Sequence, residues 1–329
     1  MKKISLILIC FLMLFFITSC DFLSLLDYIP SSSSSDEKAS ESSLGEKSSE
    51  KDPSHEHEYE KEIISATCEN DGYTKHQCEC GYYFFDEITK KTEHNYVNAV
   101  CEKCNGVDYK ELVNIVSTET IKSTFGITVE YGAGFFNQTV AYSSGSGAII
   151  KQEGNKYYII TNNHVVYNKE LDEQTTHKTY YVIDYIGNEY RAELIARKAE
   201  YDLAILCFSS DERFPVLKIE KENPKVDSEL ISIGYPNGQA NTITLGAIER
   251  YQRVNMGDAS EAAIDFETIQ HDAYINDGSS GGVILDISLN IIGVNFAGNK
   301  NDDGEHVSSF AIPIEQVYNF FEEVEFSLE

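Results

Sequence analysis

The segment INDGSSGGVILD, residues 275–286, sets Ser279 and Ser280 between three glycines just ahead of an apolar run. A serine hydroxyl becomes a nucleophile when a base takes its proton, and the oxyanion it raises on a carbonyl needs hydrogen-bond donors. Glycines on either side let backbone N–H groups turn toward that oxygen. On this reading Ser280 carries the attacking hydroxyl, the N–H groups of Gly278 and Ser280 form the oxyanion hole, and Ser279 fills the turn between them. Taken alone, the same residues also spell an ordinary Gly/Ser turn.

A base and its orienting partner are then required. His164 closes YYIITNNHVV, where a strand-like run ends in polar Thr161, Asn162 and Asn163. His177, His271 and His306 stand in polar surroundings and read as surface or loop residues. Asp202, in AEYDLAILCF, enters an apolar run directly. A buried carboxylate is costly without a partner. Facing a histidine, it would fix the ring's tautomer and stabilise the imidazolium; capping a turn is the plainer role. The chain order His164, Asp202, Ser280 is one of three in which this constellation recurs on unrelated folds.

Elements able to position these groups are short and β-rich. GAII, KYYIITNN, YYVIDYI, LAILCF, LISIGY, VILDI and IIGVNF recur between Gly, Asn, Asp and Pro signals. Helical periodicity is confined to DYKELVNIV and PIEQVYNFFEEV. The pattern predicts an all-β sandwich or barrel pair over residues 107–329. No G-x-G-x-x-G or Walker pattern occurs.

From Ser144 to Val317 the motifs SGSGAII, IITNNHVV, YDLAIL, ISIGYPNG, TITLGAIE, IQHDAYINDGSSGGVILD and SSFAIPIEQV follow one another. This series resembles the trypsin-like serine peptidases of the HtrA/Deg type. The resemblance implies a mainly β fold of two packed antiparallel six-stranded β-barrels, chymotrypsin-like, with the triad in the cleft between them. It implies His164 as general base, Asp202 as its orienting partner and Ser280 as nucleophile, with Gly278 and the Ser280 N–H at the oxyanion. Tyr274 to Asn276 and Phe296–Ala297 would wall the S1 pocket, and substrate would lie extended near Asn295, Phe296 and Ala297. A small or medium apolar P1 residue is expected, protein or peptide substrates follow, and the chemistry needs no cofactor. Asp277, Ser279 and Val283 depart from the family's usual proline, asparagine or aspartate, and proline; these changes touch loop shape and efficiency. The PDZ domain common in that family is expected to be missing. A reading of another class, a catalytically inactive surface lipoprotein serving binding or adhesion, is opposed by the intact His164, Asp202 and Ser280.

Residues 54–106 form a Cys-rich segment with Cys68, Cys78, Cys80, Cys101 and Cys104, and with His55, His57, His76 and His94 among them. C-x-C-G and C-x-x-C suit a tetrathiolate zinc site. Disulfides and unpaired thiols stay open, and five cysteines leave one over in either pairing scheme. The segment also resembles small Cys-rich repeats of bacterial surface proteins, which implies an accessory module. A metal-binding sensor that controls the rest of the chain is a further reading of it.

The N-terminus reads as an export signal. Lys2 and Lys3 precede the apolar run Ile4–Ile17, whose 14 residues would reach about 21 Å as a helix, short of a hydrocarbon core of about 30 Å. ITSC resembles the lipobox of bacterial lipoproteins. Residues 1–19 are thus expected as a lipoprotein signal peptide and Cys20 as the lipid attachment site, with the protein extracytoplasmic and anchored to a bacterial membrane. Residues 20–53, rich in Ser and charge, read as a disordered tether. With 26 Lys plus Arg against 54 Asp plus Glu, the net charge is -28. Such a chain repels phosphate backbones, which excludes nucleic acid as a partner, and leaves membrane attachment to the lipid.

Overall fold

The structure is a computed structural model that describes residues 55–134, 138–235, 242–254, 263–301 and 303–329. The expected signal peptide, Cys20 and the tether lie outside the described residues. Among those described, no helix is long and apolar enough to cross a membrane.

The Cys-rich segment folds first, into an antiparallel sheet of β1 (Tyr59–Ile64), β2 (Gly72–Cys78) and β3 (Tyr83–Thr89). A short hairpin follows, β4 (Tyr96–Val97) and β5 (Val100–Cys101). Its positive-φ residues Asn98 and Ala99 form the tight turn. The chain then enters helix α1 (Tyr109–Thr118), capped by the Asp108 side chain on Glu111 N–H at 3.1 Å. Leu112, Val113 and Val116 repeat at helical spacing and are buried.

Two closed six-stranded antiparallel barrels make up the rest. In the first, β6 (Thr124–Ala133), β7 (Gln138–Glu153), β8 (Lys156–Thr161), β9 (His177–Ile183), β10 (Glu189–Lys198) and β11 (Leu203–Ser209) run in the order β10-β11-β8-β7-β6-β9. In the second, β12 (Glu229–Gly234), β13 (Thr242–Gln252), β14 (Thr268–His271), β15 (Val283–Leu285), β16 (Ile291–Lys300) and β17 (His306–Pro313) run β12-β13-β14-β17-β16-β15. Closure pairs most strand edges within each barrel, which limits pairing with other chains. The mainly β, two-barrel architecture expected from the sequence is the one observed.

Each barrel has its own filling. Phe125, Ile127, Val129, Ile159, Val182 and Leu206 are among the residues that pack the first, and Leu230, Ile248, Ile269 and Ile284 among those of the second. A larger apolar cluster joins the two. Ala148, Ile150, Ile160, Leu203 and Ile205 from the first barrel meet Ile231, Ile233, Val283 and Val294 from the second. Helix α4 (Ile314–Glu323), numbered after the short helices α2 (Asn163–Val166) and α3 (Lys169–Gln174), closes this cluster with Ile314, Val317, Phe320 and Phe321. Leu112 and Val116 of α1 belong to it as well, and so does Ala99 of the β4–β5 turn.

The cysteines do not assemble as the tetrathiolate expected. All five are free, in two separate groups: Cys78 ends β2 with Cys80 in the turn after it, and Cys101 ends β5 with Cys104 in the turn after it, near Cys68. Cys68 Sγ and Cys101 Sγ stand 3.9 Å apart, far beyond the ~2.05 Å of a disulfide.

Candidate active site

The first barrel presents His164 and Asp202 where two strands end. β8 stops at Thr161, and the chain turns through Asn162 into the single helical turn α2, which carries His164. Asp202 immediately precedes β11, at φ +50, a left-handed conformation that Asp tolerates better than most residues. The two segments are laced together through Asp202. Its carboxylate accepts from the His164 backbone N–H at 3.0 Å and from ring Nδ1 at 2.7 Å. Its carbonyl accepts from Asn162 Nδ2 at 3.0 Å and Asn163 N–H at 3.1 Å. Arg197 of β10 donates to Asn163 Oδ1 at 3.0 Å and stacks over Tyr167, fixing the turn from the other side.

Asp202 is wholly buried while the His164 side chain keeps 29% exposure toward the cleft. Burial opposes a charged imidazole, but the Asp202 charge and hydrogen bond outweigh it. The ring's pKa is held above its ordinary 6.5. With Nδ1–H bound to the carboxylate, Nε2 is the nitrogen left to take a proton.

The second barrel supplies the serine loop between β14 and β15. Gly278 sits at φ +93 and Gly281 at φ +83, both in the region that favours glycine. The two serines separate cleanly. Ser279 is buried, with its hydroxyl accepting from Asn276 N–H at 3.2 Å and its own N–H given to Asn276 O. Ser280 faces a small cavity of about 70 Å³ that Ile275, Asn276, Asp277, Ala297, Gly298, Lys300 and His306 also line. Its hydroxyl donates to Phe296 O at 3.5 Å, and among the described residues it makes no hydrogen bond to His164. Neither Gly278 N–H nor Ser280 N–H donates to a protein acceptor among the described residues.

The other expected substrate residues divide. Asn276 and Ala297 line the cavity, whereas Phe296 reaches Ser280 only through its carbonyl. Tyr274 is 45% exposed and packs edge-on against His306 rather than lining the cavity. Asn295, expected along the substrate, is buried and fully engaged. Its N–H goes to Gly282 O and its carbonyl to Gly281 N–H, both at 2.8 Å, and its amide bridges His271 and Ser232. It holds the cleft wall and has no free group to offer. Past Asn295, β16 pairs only with β17, so the opposite edge of Phe296–Lys300 stays open beside Ser280. Asp277 is exposed at the cavity rim, where water screens its charge.

Two histidines read as surface residues are not. His271 is wholly buried, its Nε2 against Asn295 Oδ1 at 3.0 Å, and burial pushes its pKa down to about 4. His306 lines the cavity and bonds Ser309 Oγ at 2.8 Å. β14 is buried at all four positions, and its largely polar sequence TIQH gave no apolar signal for the burial of His271.

Ser146 of β7 is the residue that sequence reasoning missed. It is buried, its N–H donates to Ser280 O and its hydroxyl to Gly278 O, both at 2.7 Å, and Tyr235 N–H donates back to that hydroxyl at 2.7 Å. Thr161 Oγ1 donates to Ser146 O at 2.7 Å. A first-barrel strand therefore grips the second barrel's serine loop by the carbonyls of Gly278 and Ser280.

Residues 145–294 match the model of the trypsin-like peptidase domain family. The serine protease Do-like HtrA of Bacillus subtilis (strain 168) is 35% identical over 184 residues, 55% of this chain and 39% of that protein. Residues 145–294 are thus similar to a trypsin-like peptidase domain, and this relative is of the HtrA type. The periplasmic serine endoprotease DegP of Escherichia coli (strain K12) is 30% identical over 190 residues, 57% of this chain and 37% of its own length. The chain thus spans about two-fifths of the length of these curated relatives. Among solved structures, the HtrA-type protease AlgW with a decapeptide aligns at TM-score 0.51 and 25% identity, covering 65% of this chain and 67% of that one. The chemistry of a trypsin-like domain needs no cofactor.

Proposed function

We propose that the chain is a serine endopeptidase in which His164, Asp202 and Ser280 act as a triad. The observation that carries this reading is the 2.7 Å contact of His164 Nδ1 with the buried Asp202, made beside a serine loop whose Gly278 and Ser280 N–H groups are unspent. A peptide carbonyl placed in the cleft receives those two donors. Ser280 Oγ leaves Phe296 O, gives its proton to His164 Nε2 and bonds the carbonyl carbon. The tetrahedral oxyanion is stabilised by the loop's N–H groups, and the imidazolium by Asp202. His164 then protonates the leaving amine, the C–N bond breaks, and an acyl-enzyme remains. Water, deprotonated by the same ring, releases the acid and restores Ser280.

The substrate runs extended along the open edge of Phe296–Lys300, adding a strand to the second barrel. The cavity of about 70 Å³ is room for roughly five water positions, which suits a small P1 side chain. The protein works outside the cytoplasm, held to a membrane by lipid on Cys20 and spaced from it by residues 20–53. Residues 54–106 form the accessory module and 107–329 the peptidase domain.

Digestion of casein by the full chain tests the activity. The wild type is expected to cleave it, while Ser280→Ala and His164→Ala fall by about 10⁶ in kcat. Equal rates in all three would overturn the triad. Palmitate labelling of cells tests the anchor, with label in the wild type and none in Cys20→Ala; label in both would remove Cys20 from the account.

A further inference from the structure

Outside the cleft, residues 55–106 gather their reactive side chains into two sets. His55, His57, Cys78 and Cys80 converge at one end of the sheet, and Cys68, His94, Cys101 and Cys104 at the hairpin. In each set one ligand atom per residue lies within 4.8 Å of all the others. Adjacent donors stand at 3.2 Å (His55 Nε2 to Cys78 Sγ), 3.4 Å (His57 Nδ1 to Cys80 Sγ), 3.5 Å (His94 Nδ1 to Cys104 Sγ) and 3.9 Å (Cys68 Sγ to Cys101 Sγ). A tetrahedral zinc ion with Zn–S near 2.3 Å and Zn–N near 2.0 Å separates its donors by about 3.8 Å for two sulfurs and about 3.5 Å for sulfur and nitrogen. The spacings match those edges.

We propose that this segment binds two zinc ions, one through Cys₂His₂ and one through Cys₃His. Both donor sets are complete at four, with no position kept open, which is the pattern of a structural rather than a catalytic zinc. Thiolate with imidazole, and no carboxylate, disfavours calcium and magnesium. A backbone N–H already faces one of the sulfurs, with Gly106 donating to Cys104 Sγ at 3.4 Å. Cys68, which the cysteine spacing left unpaired, completes the second set.

The fold of the segment has need of such ions. Its buried apolar residues are Cys68, Cys78, Ala99 and Cys101, so three of the four are ligands and no separate core exists. Domains of this size seldom fold without disulfides, metals or a partner. The first ion clips the chain ahead of β1 to the end of β2. The second ties the β1–β2 loop and the segment after β3 to the β4–β5 hairpin. That hairpin continues into α1, with Asp108 N–H on Ala99 O at 2.8 Å and Ala99 in the apolar cluster shared with the barrels. The second ion therefore also fixes where the module leaves the peptidase domain.

The test is the metal content of the full chain, purified under reducing conditions, loaded with zinc chloride alone and desalted. Two zinc ions per chain are expected, one in Cys80→Ser, one in Cys104→Ser and none in the double variant. Cys207→Ser, buried in the first barrel, should keep two. Cobalt loading of the wild type gives a second readout that needs no variant, since thiolate-to-cobalt absorption is expected to saturate at two equivalents. Fewer than two ions on a fully reduced wild-type chain, or unchanged zinc in the double variant, would overturn the proposal.

Discussion

At the residue scale the account rests on how His164 is held. In the proposed triad its neutral form is the base, and Asp202 raises the pKa at which that form appears. Activity should therefore rise with pH on an acid limb centred above about 6.5. Asp202→Asn removes the charge that raises the pKa and the acceptor that sets the tautomer. The expected result is a fall of about 10⁴ in kcat and an acid limb displaced to lower pH, measured as a kcat/KM–pH profile. A drop in rate with the limb unmoved would mean that Asp202 only holds the turn. His164, Asp202 and Ser280 were legible in the sequence because each combines a reactive side chain with a telling flank. Ser146 was not, because its role depends on which backbone groups lie across the barrel interface. Ser146→Ala leaves Gly278 C=O without its donor and Tyr235 N–H without its acceptor, at a cost of about 1–3 kcal/mol. Thermal unfolding and kcat should both report it.

At the element scale the serine loop is the part under tightest geometric demand. A Cβ on Gly281 would fall 2.2 Å from Ser146 O and 2.3 Å from Thr161 Oγ1, at φ +83. Gly154, in the β7–β8 turn, also has positive φ, +63, but open space around it. Gly154→Ala should cost about 1–2 kcal/mol through backbone conformation alone. Gly281→Ala should cost more than about 3 kcal/mol, because the clash adds to it. Denaturant unfolding separates the two, and equal effects would show that the loop yields. The strands of both barrels were legible as apolar runs between turn signals, because a barrel wall repeats that pattern wherever it lies. The route of the substrate strand was less so. Asn295 and Phe296 are neighbours in one strand, but the ladder to Gly281 and Gly282 uses up the first and leaves only the carbonyl of the second.

At the scale of the whole molecule, one apolar cluster joins both barrels, α1, α4 and the hairpin turn of the Cys-rich segment. The sequence showed a barrel pair and an accessory segment, but not that Ala99 and α1 bind them together. Nor did cysteine spacing reveal that two histidine-containing sets form in place of one tetrathiolate. Histidines far apart in sequence are brought to the sulfurs only once the sheet is folded. Such cross-element contacts also put the two halves of the proposed site, one per barrel, within reach of each other.

The central claim is that Ser280, set on the second barrel, is activated by the first. Fluorophosphonate labelling of the full chain, read by peptide mass spectrometry, tests it most directly. The account predicts label on Ser280 alone, retained in Ser279→Ala and absent from Ser280→Ala and His164→Ala. A folded chain left unlabelled, or one labelled on Ser279, would contradict it.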